Sequence, residues 1–250
     1  MDLNLIGKTA LVTAASGGIG KGVAQALAEA GVRVAISGRT RSSLEEVAET
    51  LAPRGAPPVI VVGDVGAKGG PAQIAAEAVA ALGGRIDILV NNAGAARPIK
   101  GEVDDDFWEE SFTLNFTAAR RLTECVIPAM KAARWGRIIS MSGVVVAPAP
   151  NAAAPAKAAL VSWSRTLASD LGGYGITVNT IAPGRINSAQ IQKLHPTEQS
   201  RADYIQQNIP AGYFGEPHDI GHLAAFLASP LARYINGAAI PVDGGAVRRT

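Results

Sequence analysis

This chain has one cysteine among its 250 residues, Cys125, which excludes an internal disulfide. A chain without cross-links suits a reducing compartment, so a cytoplasmic location is expected. Cys125 falls in the apolar, helix-like stretch Leu122–Met130, and a buried structural thiol is expected there rather than a nucleophile. Excess charge is equally scarce. The 23 Lys and Arg against 21 Asp and Glu leave a net charge of +2, too weak a field to recruit nucleic acid or an anionic membrane. No apolar run is long enough to span a bilayer, and the start, MDLNLIGK, shows no basic segment leading into an apolar core, so no secretion signal is expected. His218 and His222 have metal-compatible spacing, but HExxH and a third ligand are missing, so no metal is expected.

What the chain does have is alternation. Short apolar, β-branched runs occur at Thr9–Thr13, Arg33–Ser37, Pro58–Gly63, Ile86–Asn91, Arg137–Met141, Ile176–Ile181 and Ala239–Val242. Helical patterns lie between them at Gly18–Ala30, Ser42–Leu51, Pro71–Leu82, Asp104–Ala133, Ala156–Leu171 and Asp219–Ala228. Strands apolar on both faces, each followed by a crossover helix, imply a parallel sheet covered on both sides. The expected fold is α/β, a Rossmann-type doubly wound sheet of seven parallel strands with helices on both faces, forming one domain over 1–250. Ala147–Ala156 reads as a loop entering a helix, because Pro155 suits a first turn, and the tail Arg248–Arg249 reads as solvated.

Ligands of such folds bind beyond the carboxyl ends of the strands. Those ends carry TAASGGIG, SGRT, GDV, NNAG, SMSG and APGRINS, the polar and glycine-rich stretches a nucleotide pocket needs. The first is the most telling. In KTALVTAASGGIG (Lys8–Gly20) an apolar run meets a glycine-rich turn and then a helix start. Free N–H groups and the helix dipole attract a phosphate there, and glycine lets the backbone approach it. Tight packing alone is the competing explanation of such a turn.

Together these segments resemble the short-chain dehydrogenase/reductase family from about Ile6 to Gly245, with the 3-oxoacyl-acyl-carrier-protein reductases as the nearest branch. TAASGGIG resembles the family's TGxxxGIG, with Ala14 at the first glycine. NNAG (Asn91–Gly94) matches in full, Asn115 in TLNFTAA fits the helix asparagine, and APGRINS resembles the PG motif. GRIISMSG ends in the serine region, and FLASPLARYINGAAIPVDGG matches the C-terminal segment. The largest departure from the pattern lies at the proton donor. The family's proton donor is a tyrosine four residues before a lysine; Lys157 is present, Ala153 stands at the tyrosine position, and no tyrosine precedes Gly173. The loop Gly143–Ala153 is also roughly three residues short, so the family's serine falls on Ser142, which we favour, or is lost to Gly143.

The resemblance implies an oxidoreductase that reduces a small-molecule carbonyl (3-oxoacyl-like or another ketone) or oxidises an alcohol. Asn115, Ser142 and Lys157 are its expected catalytic residues. Lys157 is an anchor for the nicotinamide ribose or a solvated helix residue, and Asn115 supports a water chain or pins its helix. The cofactor should lie along Ser16, Gly18, Ile19 and Gly20, with Asp64 and Val65 at the adenine, Asn91 and Ala93 along its length, and Pro183, Gly184, Ile186 and Ser188 bordering the nicotinamide. After the second strand, SGRTR offers Arg39 and no carboxylate, so NADP(H) is expected over NAD(H). A lid is expected at about 186–212, where His195, Tyr204 and Tyr213 are substitute acids or plain surface residues. Family members assemble as dimers or tetramers through the two long helices and the C-terminal segment, so a homodimer or homotetramer is expected. The competing reading is a cofactor-binding sensor or partner subunit without dehydrogenase activity.

Overall fold

Seven strands form one parallel sheet in the order β3-β2-β1-β4-β5-β6-β7. They are β1 (Thr9–Val12), β2 (Arg33–Gly38), β3 (Val59–Val62), β4 (Ile88–Asn91), β5 (Gly136–Met141), β6 (Ile176–Pro183) and β7 (Ala239–Val242). The helices are α1 (Gly18–Glu29), α2 (Arg41–Leu51), α3 (Gly70–Leu82), α4 (Asp105–Phe112), α5 (Ala118–Ala133), α6 (Ala153–Leu171), α7 (Ala189–Leu194), α8 (Glu198–Asn208) and α9 (Pro217–Ala228). This computed structural model describes residues 2–143 and 149–246, with the backbone alone at Arg54. The tail Arg248–Arg249 and the start of the Ala147–Ala156 loop lie outside the described residues. No helix among the described residues is long and apolar enough to cross a membrane.

Side-chain alternation along the strands divides the core into two layers. Val12, Val34, Ile36 and Val90 pack with α1, α2 and α9, while Leu11, Ala35, Leu89 and Ile138 pack with α3, α5 and α6. The expected doubly wound fold is therefore observed. Strand order reverses between β1 and β4, which opens a crevice above their carboxyl ends.

Two expectations fail. The helix foreseen at Asp104–Ala133 is broken by a π-helical turn at Thr113–Thr117. Asn115 sits in that turn and donates Nδ2 to the Ser111 carbonyl at 3.0 Å, while Phe116 packs edge-on against Trp163 of α6 with ring centroids 6.1 Å apart. Cys125 is exposed rather than buried. The buried stripe of α5 runs through Ala118, Leu122, Thr123, Val126 and Met130, which turns Cys125 outward, its thiol donating to the Arg121 carbonyl at 3.2 Å. Partial burial and nearby Glu124 raise its pKa, a poor setting for a nucleophile.

α1 and α9 approach so closely that only glycine fits between them. A Cβ on Gly22 would stand 2.4 Å from the Pro217 carbonyl oxygen, and one on Gly221 would stand 2.4 Å from the Gly22 carbonyl oxygen. This contact holds the glycine-rich start of α1 against the sheet. Gly22→Ala should destabilise the protein by about 1–3 kcal/mol in chemical denaturation through overpacking; an unchanged midpoint would show that the helices separate without cost.

Candidate active site

At the end of β1 the turn TAASGGIG leads into α1, whose first turn has no acidic residue and no side-chain cap, leaving its leading N–H groups for a ligand. Thr13 is the hub below it. Its hydroxyl donates to the Val90 carbonyl at 3.3 Å and accepts from the N–H groups of Asn92 and Ala93 at 3.0 and 3.3 Å. Asn92 in turn donates Nδ2 to the carbonyls of Thr13 and Ala14, each at 3.1 Å. Ala14 has φ 49°, the left-handed region that favours glycine, so this chain accepts strain where its resemblance expects glycine. Gly20 is required by contact: a Cβ there would stand 2.5 Å from the Ala14 carbonyl oxygen.

The other predicted cofactor residues converge on this turn. Ser16 lies beside Gly38, and the Ala15 N–H donates to the Ser37 carbonyl at 2.9 Å, joining the turn to the end of β2. Arg39 follows, exposed and without an acidic partner among the described residues. Ser37 Oγ is buried and unbonded among the described residues. Asp64 is exposed after β3 and accepts the Gly66 N–H at 2.8 Å. Val65, Asn91 and Ala93 line one small cavity with Thr13, Ala118, Ala119 and Leu122. Asn91 directs its amide away from the crevice, donating to Thr123 and Ser140 at 3.0 and 3.3 Å. Beyond β6, Pro183 and Ile186 are buried, Gly184 packs on Asp243, and Ser188 caps α7 next to Gly18 of the glycine turn.

Lys157 stands at the centre of the crevice. Its side chain is half-buried. It donates to the Met141 carbonyl at the end of β5 at 2.8 Å. Burial, the sole cause, lowers its pKa from 10.5 to about 8. Gly94 of NNAG lies against it: a Cβ there would stand 2.8 Å from Lys157 Nζ and 2.9 Å from Asn115 Oδ1. Asn115 accepts the Ala95 N–H at 3.1 Å and donates to the Ala95 carbonyl at 3.2 Å, so it pins the loop that closes over Lys157. Asn151 fixes the start of α6 by accepting N–H groups of Arg97 and Ala153 at 3.1 and 2.9 Å.

Ser142, by contrast, is 1% exposed, and its hydroxyl reaches the Ile181 carbonyl at 3.2 Å. Ala153 is buried on the Lys157 face of α6, one turn earlier. Segment 186–212 contains α7 and α8, which sequence periodicity did not reveal. His195 and Tyr204 stack there at 4.7 Å, and Arg185 Nε donates to Tyr204 Oη at 3.1 Å. Burial, Arg185 and Arg201 together lower the His195 pKa. Tyr213 is 62% exposed. The structural roles of Thr13 and Asn92 were also missed, although NNAG was the available signal.

The strain at Ala14 predicts a gain on repair. Ala14→Gly should stabilise the protein by about 0.5–1 kcal/mol in thermal or chemical unfolding, because relief of the left-handed backbone exceeds the added chain entropy. Destabilisation by this substitution would contradict the strain.

Residues 13–247 match a family model described as enoyl-(acyl carrier protein) reductase. The 3-oxoacyl-[acyl-carrier-protein] reductase FabG of Vibrio cholerae is 37% identical over 250 residues, covering 97% of this chain and 98% of its own. L-sorbose reductase from Gluconobacter frateurii, solved with NADPH and L-sorbose, is 30% identical with a TM-score of 0.92 and full coverage (100%) of both chains. A 7α-hydroxysteroid dehydrogenase, solved with NADH and 7-oxoglycochenodeoxycholic acid, is 30% identical with a TM-score of 0.89, over 99% of this chain and 97% of that one. These matches make this chain a member of the short-chain dehydrogenase/reductase family of oxidoreductases.

Proposed function

We propose that the chain is an NADP(H)-dependent oxidoreductase that reduces a carbonyl, 3-oxoacyl-like or another ketone, or oxidises the corresponding alcohol, using a proton donor other than tyrosine. One observation carries this reading: the uncapped α1 start and the half-buried Lys157 ammonium lie along the same carboxyl edge of the sheet, with no carboxylate among the described residues bonded to either. The first suits a pyrophosphate and the second a ribose hydroxyl.

The bound cofactor would supply or accept a hydride, and the chain does the rest. Gly18, Ile19, Gly20 and Ser16 receive the pyrophosphate end, and Asp64 and Val65 face the adenine. Pro183, Gly184, Ile186 and Ser188 close over the nicotinamide end, and Asn115 keeps the Ala95 loop, and with it Gly94, seated on Lys157. Lys157 orients the ribose through the donors it does not give to Met141. Segment 186–212 shields the reacting carbonyl from water, with α7 and α8 as its rigid parts. Dimers or tetramers would form through α4–α5, α6 and the C-terminal strand, whose Ala239 and Pro241 are exposed.

Relatives with this fold are seen with NADPH and with NADH, so cofactor choice depends on local charge. The exposed Arg39 after β2 supports binding of a 2′-phosphate. Arg39 and Arg41 flank the N-cap of α2, where positive charge opposes the dipole, and an anionic ligand at Arg39 offsets that cost. A cofactor-binding protein without turnover is the second reading, favoured by the buried methyl of Ala153 in the position that would face the carbonyl.

Fluorescence titration should show NADPH binding at least tenfold tighter than NADH. Arg39→Ala should weaken NADPH by about 10–100-fold and leave NADH nearly unchanged. Equal affinities, unaffected by the substitution, would contradict the NADP(H) assignment. Oxidation of NADPH with members of a panel of ketoacyl thioesters, quinones and diketones is expected; binding without any turnover would favour the second reading.

A further inference from the structure

Reduction of a carbonyl leaves an alkoxide, which must take a proton as it forms. The groups around the crevice can be sorted by whether a proton is free to leave them. The Ser142 hydroxyl is buried and directed at the Ile181 carbonyl. His195 belongs to the α7–α8 layer, between Tyr204 and Phe214, with ring centroids 4.7 and 5.6 Å away. Tyr204 accepts the Arg185 Nε–H in that same layer. Asn115 has no labile proton near neutral pH and bonds Ala95 and Ser111.

Lys157 differs from all of these. Its ammonium has three donors, and among the described residues one is used, on the Met141 carbonyl at 2.8 Å. The Met141 carbonyl fixes it from below and Gly94 from one side, where a Cβ would stand 2.8 Å from Nζ. One turn earlier on the same face of α6, Ala153 presents only a methyl group and no competing acid.

We propose that Lys157 is itself the proton donor of this enzyme, its ammonium passing a proton, directly or through one water, to the oxygen of the substrate carbonyl. The inference rests on the oxidoreductase reading and names the donor that reading leaves open. The balance is simple. The carbonyl carbon takes the hydride and its two electrons from the reduced cofactor, and the oxygen takes the proton that leaves Nζ. Lys157 becomes a neutral amine and regains a proton from solvent after the alcohol departs. In oxidation the amine receives the proton instead.

The required protonation range is available near neutral pH, because burial holds the Lys157 pKa at about 8. Charged residues on the elements around it are Asp105, Asp106, Glu109 and Glu110 on α4, Arg97 before α4, Arg185 beyond β6, and Arg165 and Asp170 further along α6. Glu110 is paired with Arg97 at 2.9 Å. None of them contributes to the shift, which burial alone causes. A base with a lowered pKa is charged below that value and neutral above it, so carbonyl reduction should fall tenfold per pH unit above about 8.

The test begins without turnover. In protein labelled with [ε-¹³C]lysine, the signal lost in Lys157→Arg identifies this residue, and it should titrate near pH 8. The kcat for reduction should fall along the same midpoint. Lys157→Arg keeps a positive charge for the ribose but cannot release a proton, so NADPH binding should persist while kcat drops by about 10²–10⁴ and loses its pH inflection. Titration of Lys157 above pH 10, or a Lys157→Arg enzyme with the wild-type pH profile, would overturn the proposal. Failure of the wild-type protein to bind NADPH would overturn the functional reading beneath it instead.

Discussion

The bond from Lys157 to the Met141 carbonyl is the constraint on which the rest of this site depends. A lysine ammonium resists burial, and no carboxylate among the described residues is bonded to it to offset the cost. The surrounding elements are arranged around that fact. β5 ends where its last carbonyl can accept the ammonium, Gly94 lacks a side chain that would displace it, and Asn115 holds the loop that carries Gly94. The π turn that seats Asn115 is the local departure from helix that this arrangement requires. Removing one of these supports would leave the ammonium misplaced, so the group behaves as a unit.

Close backbone approach is the second theme. α1 meets α9 through Gly22 and Gly221, Gly20 meets the Ala14 carbonyl, and Gly184 meets Asp243. Each contact brings a strand end or helix start into the crevice without a side chain between them. Ala14 breaks the pattern by holding a left-handed backbone with a Cβ attached, and the Asn92 amide, bonded to the carbonyls on both sides of that residue's N–H, keeps it there. Strain of this kind persists at functional sites because neighbouring bonds over-determine the backbone.

Much of this was legible in the sequence. The strands announced themselves as apolar on both faces, the pattern of a parallel sheet buried between helix layers. KTALVTAASGGIG, NNAG and Lys157 marked the crevice because glycine and lysine in those settings answer to specific backbone and charge demands. The π turn was invisible, since one inserted residue scarcely alters apolar periodicity over Asp104–Ala133. Cys125 was misplaced because Leu122–Met130 was weighed as an apolar run, whereas the phase set by Leu122, Val126 and Met130 turns residue 125 outward. α7 and α8 are short and polar, and tertiary contacts through Ile191, Tyr204 and Phe214 hold them rather than an amphipathic pattern of their own. The hydrogen bond of Ser142 to Ile181 follows from strand register, which composition does not encode.

A crystal structure of the protein grown with NADP⁺ tests the central claim most directly. The account predicts the pyrophosphate on the N–H groups at the start of α1, and Lys157 Nζ at about 2.7–3.1 Å from a hydroxyl of the nicotinamide ribose. Arg39 should meet the 2′-phosphate. A dinucleotide bound elsewhere, or bound in the crevice with Lys157 out of reach of the ribose, would contradict it.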